Sequence, residues 1–212
     1  MSKEIVLKRP WNKAITHAHD RLVFRRRLVR LAEAIMSLLP PSAHTALDVG
    51  SGSGEISRHI AQHISGVDIQ GVDVFVRSET AIHTQHFDGE HLPFEDHSID
   101  VLFLIDVIHH VTKPDVLLRE CARVAKQAVI IKDHYQHHAL DRMILRFMDW
   151  AGNESRGVDC IYRYYNETEW DQTFKKAGLS PEKYLTQLNL YPFPASLIFE
   201  RHLHFIASLK PL

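Results

Sequence analysis

The sequence predicts an α/β fold built on a doubly wound, mostly parallel sheet, and three observations carry that prediction. Short apolar runs of strand character alternate with stretches of helical periodicity. The first such run ends in a glycine-rich turn that opens a helix, an arrangement in which bare backbone and unpaired N–H groups can meet a ligand. Two late runs have no helix obvious between them, which predicts an antiparallel pair at the end of the chain.

The elements follow in order. In residues 20–39, Leu22, Val23, Leu28, Val29, Leu31, Ala32, Ile35, Met36 and Leu39 recur at helical spacing. Pro40-Pro41 closes this helix, and Arg25, Arg26, Arg27 and Arg30 read as its solvated face. Residues 45–49 form a short apolar run ending at glycines, a buried strand. Residues 55–64 follow as a helix with Ile56, Ile60 and Ile64 on one stripe. Strands are predicted over 67–74, 98–105 and 127–132, and a helix over 115–124. Residues 139–150 and 168–177 add helical material beyond a simple crossover. The final strands are expected over 184–191 and 202–209.

The chain has 212 residues, of which 45% are hydrophobic, and a net charge of -1 with histidine neutral. That length suits one domain over 1–212. Within it lie an N-terminal helical segment (1–44), a ligand-binding core (45–131), a helical insertion or lid (132–178) and a C-terminal strand pair (179–212). The near-neutral balance gives no reason to expect nucleic acid. The two cysteines, Cys121 and Cys160, fit no ligand spacing. Residues 1–4 precede no apolar leader-like run, and no run has the apolar length of a bilayer span. The expectation is a cytoplasmic protein without membrane partners, monomeric or homodimeric.

The turn itself reads Asp48-Val49-Gly50-Ser51-Gly52-Ser53-Gly54. A dinucleotide fingerprint places its third glycine or alanine three positions after the second. Here that position is Glu55, and Gly54 comes one step early. No Gly-Lys-Ser/Thr follows, so this is not a P-loop. Asp48 beside the turn would repel a pyrophosphate but suits a ligand with a cationic amino-acid end.

These residues resemble the first motif of class I S-adenosylmethionine-dependent methyltransferases, an acidic residue and spacer before Gly-x-Gly-x-Gly. Three further segments extend the resemblance. Gly71-Val72-Asp73-Val74 ends the second strand, with Asp73 about twenty residues past the turn, where a carboxylate can accept ribose hydroxyls. Phe87-Asp88-Gly89-Glu90-His91-Leu92-Pro93-Phe94 resembles the family's Asp-Ala-Glu-x-Leu-Pro-Phe segment, in which Asp88 would accept from the adenine amino group beside Gly89. The strand ending at Ile105 leads into Asp106-Val107-Ile108-His109-His110, which resembles the segment lining the cofactor and acceptor pockets.

The resemblance implies a Rossmann-like seven-stranded sheet with a reversed last strand and S-adenosylmethionine as cofactor. It implies a cofactor site of Asp48, Gly50, Ser51, Gly52, Gly54, Asp73, Val74, Asp88, Gly89 and Ile105. The implied activity is methyl transfer to a small-molecule acceptor at oxygen or nitrogen. A non-catalytic S-adenosylmethionine-binding sensor or partner subunit is the alternative.

Ligands of open α/β sheets bind outside the carboxyl ends of the strands. The candidate catalytic residues there are His134, with Asp133 as partner, then His109 and His110. No metal is expected: His134 and His138 would share a face only if the helix began that early. The helix over 139–150 is expected to cover the acceptor pocket with Leu140, Met143, Ile144, Phe147 and Met148. The stretch 11–24 is a candidate to close the other side.

Overall fold

The computed structural model describes residues 23–152 and 161–212. Strands β1 (Thr45–Val49), β2 (Asp68–Asp73), β3 (Thr84–His86), β4 (Ile99–Ile105), β5 (Ala125–His134), β6 (Leu179–Leu185) and β7 (His204–Pro211) form one sheet in the order 3-2-1-4-5-7-6. The first five pair in parallel. β7 runs antiparallel to both β5 and β6, so the sheet is mostly parallel with a reversed last strand, as expected. The strand order reverses between β1 and β4, which opens a crevice at their carboxyl ends.

The helices are α1 (Arg25–Met36), α2 (Glu55–His63), α3 (Pro114–Val124), α4 (Ala139–Gly152), α5 (Glu167–Lys176) and the short α6 (Ser196–Phe199). Successive strand side chains point to opposite faces, and this divides the core in two. Leu47, Val49, Leu102, Leu104, Val129 and Ile131 pack with Leu117 and Leu118 of α3 and with Trp170 and Phe174 of α5. Their neighbours Ala46, Val101, Phe103, Ala128 and Ile130 pack with Leu31 and Ile35 of α1 and Ile60 of α2. At about 25 cal/mol per Å² of apolar surface removed from water, this two-sided burial is the main force holding the sheet. Among the described residues no helix is long and apolar enough to cross a membrane.

Several boundaries differ from the sequence expectation. β3 was not anticipated, because its three residues are polar and half-exposed. β5 runs through His134 rather than stopping at residue 132, since Asp133 and His134 pair with Phe205 and His204 of β7. β6 lies at Leu179–Leu185, ahead of the expected 184–191. As the sheet's outer strand it needs little apolar character, and Glu182 and Lys183 are exposed on it. The apolar Leu188 and Leu190 are buried against the α1 side of the core but are not strand. Backbone N–H groups of Leu190 and Tyr191 instead donate to the Glu200 carboxylate, each at 3.0 Å. β7 begins at His204 rather than residue 202.

Helix α4 is also turned from its expected pose. Leu140, Met143 and Phe147 of α4 are exposed, while Asp141, Leu145 and Asp149 form its buried face. The start of the helix expected over 20–39 and nearly all of the stretch 11–24 lie outside the described residues, as does Cys160. Cys121 is buried, as expected of a structural thiol.

Candidate active site

The glycine turn connects β1 to α2 with Gly50, Gly52 and Gly54 all in the left-handed region, at φ 78°, 57° and 71°. A Cβ on Gly50 would meet Val107 Cγ2 at 2.6 Å, and one on Gly54 would meet Ile82 Cγ1 at 2.7 Å. Those two glycines are therefore required by the fold itself. Gly52 differs: a Cβ there would meet nothing within 4 Å. Its bare backbone faces open space, as a turn approached by a ligand should.

Asp73 closes the turn from the end of β2. One carboxylate oxygen accepts the Gly52 N–H at 2.7 Å and the other accepts the Phe75 N–H at 2.9 Å. A carboxylate has lone pairs left after two such bonds, so ribose hydroxyls can still be received. Val74 follows, 56% exposed, and sits 3.1 Å from where a Gly89 Cβ would be. The segments carrying Asp73 and Asp88 thus meet on one side of the turn. The Asp88 carboxylate accepts from the backbones of Glu90 and His91 at 2.7 and 2.6 Å and pairs with the His91 ring at 2.9 Å. Those contacts hold it ionised, well below the usual carboxylate range. Ser51 lies against Gly71, with its hydroxyl 3.3 Å from that of Thr84, and Ile105 ends β4 half-buried.

Asp48 is buried and bonds the Ser57 hydroxyl in the first turn of α2. Burial pushes its carboxyl up to about 7, against the opposing pull of Ser57. Its contact positions the helix start, and within the described residues it does not reach the surface of the turn.

The four candidate catalytic residues come together. Val107, against which Gly50 packs, leads directly into the 3-10 turn Ile108–His110. His109 Nδ1 lies 2.8 Å from Asp133 Oδ1, with both side chains 1% exposed. Burial alone would lower the His109 pKa, but the ionised Asp133 beside it raises it to about 10. Asp133 Oδ1 also accepts the His134 N–H at 2.8 Å. His134 is held neutral by burial and by Lys132, whose Nζ is 3.4 Å from Nε2. The Trp170 indole donates to the His134 carbonyl at 2.9 Å and fixes that strand end. His110 lies against His109 with ring centroids 4.0 Å apart and planes tilted by 48°, and is only half-buried; burial and His109 lower its pKa to about 4.

Sequence reasoning missed Asp149, Arg27 and His204 in this cluster, whereas Lys132 and Asp106 lie at the strand ends it did point to. Asp149 reaches in from α4, its Oδ1 lying 3.6 Å from His109 Nε2, and Tyr164 bonds its other oxygen. Arg27 and the fully buried Lys132 both pair with Asp106, which sits at φ 56° between β4 and the 3-10 turn. His204 Nδ1 is 3.3 Å from Lys132 Nζ. Two of the three missed residues carried a signal. Arg27 precedes the buried Leu31 and Ile35 at intervals of four, which places it on the buried stripe of α1 rather than the solvated face. Asp149 follows the buried Leu145 in the same way.

Comparison with known proteins finds methyltransferases. A family described as a methyltransferase domain matches residues 47–131. A ubiquinone/menaquinone biosynthesis C-methyltransferase, UbiE, of Brucella anthropi is 28% identical over 185 residues, covering 72% of this chain and 70% of that protein. An uncharacterised methyltransferase of Bacillus subtilis, YcgJ, is 32% identical over 104 residues, 43% of this chain and 41% of that one. Among solved structures, a methyltransferase in complex with the Haloferax volcanii Trm112 activator superposes with a TM-score of 0.66 at 16% identity, covering 96% of this chain and 98% of that one. A geranyl diphosphate methyltransferase bound to its methyl donor superposes at 0.58 with 13% identity, covering 86% and 84%.

Proposed function

We propose that this class I S-adenosylmethionine-dependent methyltransferase methylates a small acceptor bearing an ionisable hydroxyl, with His109, Asp133 and His134 handling the acceptor's proton. S-adenosylmethionine is its cofactor. Bound, that group supplies a methyl carbon already activated by a sulfonium leaving group. Orientation therefore carries much of the rate, and the chain's task is to hold the acceptor in line and make it nucleophilic.

The observation that supports the assignment is the contact of Gly50 with Val107. It sets the glycine turn directly against the segment carrying His109 and His110. Cofactor contacts are proposed at the open backbone of Gly52, at Asp73 with Val74, and at Asp88 with Gly89. Asp48, Gly50, Ser51, Gly54 and Ile105 support them from beneath.

At the acceptor side the two histidines divide the work. Asp133 keeps His109 protonated, so its Nε2 end presents positive charge where an ionising hydroxyl develops negative charge. His134 is neutral and able to take the departing proton. The sequence expectation named oxygen or nitrogen as the acceptor atom. The Brucella relative is named for methylation at carbon. An ionised phenol-type hydroxyl accommodates oxygen and also the ring carbon it activates, and this class of acceptor is the one proposed. The test is turnover against a panel of phenols, hydroquinones, carboxylates and amines, with the methylated atom located by NMR. Methyl transfer only to amines or carboxylates would overturn the assignment.

A further inference from the structure

We propose that His109, His110 and Asp149 form a binding site for one divalent cation of the zinc, cobalt or manganese class, open toward the acceptor. The inference deepens the reading above, on which it rests: both place an electrophile beyond Nε2 of His109.

His109 is 1% exposed, and among the described residues its Nε2 has no hydrogen-bond partner. Leaving a buried ring nitrogen so placed costs free energy on the order of 1–3 kcal/mol, so it calls for an explanation. Asp149 Oδ1 faces that nitrogen as an ion-pair partner at 3.6 Å, beyond hydrogen-bond distance. That separation is close to the distance between two ligand atoms on a tetrahedral ion of zinc size, about 3.4 Å for metal–ligand bonds near 2.1 Å. One ring nitrogen of His110 completes a group whose three ligand atoms all lie within 4.8 Å of one another.

A second grouping, His109 with Asp133 and His134, meets the same criterion but is arranged for hydrogen bonding. His109 Nδ1 and Asp133 Oδ1 are 2.8 Å apart, the distance of a donor and its acceptor. That bond has a separate meaning. A metal-bound imidazole characteristically donates its other N–H to a carboxylate, which fixes the ring and makes the bound nitrogen more basic. Asp133 stands in that position behind His109. Tyr164 stands behind Asp149 in the same way, bonding the carboxylate oxygen turned from His109. Two first ligands each with an orienting partner are more than a chance gathering of polar groups.

Two imidazoles and one carboxylate suit borderline divalent ions and leave coordination positions open. In the loaded state the ion replaces the Nε2 proton. Bound there, the ion would lend Lewis acidity to the acceptor's hydroxyl oxygen, and the hydroxyl proton would pass to His134, whose ring centroid lies 5.0 Å from that of His109. A lone pair of the oxygen, or for carbon methylation the π-electron pair of the ring carbon beside it, forms the new bond to the methyl carbon while the carbon–sulfur pair returns to sulfur; a methylated ring carbon then releases its own proton as the oxygen regains one. Charge balances, and no oxidant or reductant is needed.

The test uses the full-length, tag-free protein, stripped with a chelator and titrated with cobalt(II) and zinc(II). The expected result is one ion per chain by equilibrium dialysis and elemental analysis, with visible absorption from nitrogen- and oxygen-ligated cobalt. His110→Ala and Asp149→Asn should each abolish that equivalent. Asp133→Asn should weaken it roughly ten- to a hundredfold through the lost orienting contact. His137→Ala with His138→Ala, an exposed pair outside the cluster, should change nothing. Circular dichroism checks that the variants fold, and half-buried His110 is the substitution that least disturbs the core. Absence of a stoichiometric ion, or binding indifferent to His110→Ala, overturns the proposal. Methyl transfer by the stripped protein at the full rate also overturns it while leaving the methyltransferase reading intact. Metal binding without turnover on any hydroxylated acceptor supports the site and fails the acceptor assignment.

Discussion

Substituting Asp48 by Asn should remove a pH dependence that the native chain carries between about pH 4 and 7. Asp48 is 4% exposed, and burial raises its carboxyl from 3.8 to about 7. Between those values the unfolded chain has released this proton and the folded chain retains it. The folded state binds more protons, so stability falls as pH rises, by about 1.4 kcal/mol for each pH unit. Over the whole interval the loss is about 4 kcal/mol, and above pH 7 both states are ionised and the slope vanishes. An asparagine keeps the size and can still accept from the Ser57 hydroxyl, but it does not titrate. The assay is urea denaturation of both proteins at pH 4.5, 5.5, 6.5 and 7.5, all on the order of the interval just given. The stability of the native chain minus that of the variant should decline from pH 4.5 to 6.5 and level off by 7.5, because all other groups cancel in the difference. A flat difference would refute the claim that Asp48 is buried without a charge partner.

Three further outcomes are expected. Asp73→Ala should weaken S-adenosylmethionine binding roughly ten- to a hundredfold by calorimetry, because it releases the Gly52 N–H as well as the proposed ribose contact; equal affinity would exclude Asp73 from the site. Gly52→Ala and Gly50→Ala should separate binding from folding: both carry a left-handed penalty of about 1–2 kcal/mol, but only Gly50→Ala adds a 2.6 Å approach to Val107, so its melting temperature should fall further, whereas Gly52→Ala should mainly lose cofactor affinity. His109→Gln should lower kcat by on the order of a hundredfold while leaving cofactor affinity within about twofold, an experimental margin far below one kcal/mol, because His109 is proposed to act on the acceptor and not on the cofactor; a matching loss in cofactor affinity would place it elsewhere.

The sheet was legible in the sequence wherever both faces of a strand are buried. β4 is an almost unbroken apolar run, and the glycine turn after β1 needs its three left-handed residues whatever binds there. Two strands were hidden for the opposite reason. β3 is short and polar, and β6 is an outer strand whose exposed Glu182 and Lys183 mask its pairing. The apolar run at Leu188 and Leu190 misled because burial, not hydrogen bonding, explains it; Glu200 satisfies that backbone instead. The site was half legible. His109, His110, Asp133 and His134 lie at strand ends that local pattern can find. Arg27, Asp149 and His204 arrive from α1, α4 and β7, and only tertiary packing brings them to Asp106, His109 and Lys132.

The most direct test of the account is a single-turnover reaction of the purified enzyme with S-adenosylmethionine labelled in the methyl group and a panel of phenols and hydroquinones. Label should appear on an acceptor's oxygen or on the ring carbon beside it, with one S-adenosylhomocysteine formed for each methyl transferred, and His109→Gln should slow both together. Tight cofactor binding with no labelled product from any hydroxylated acceptor would contradict the proposed chemistry and point instead to a protein that binds the cofactor without using it.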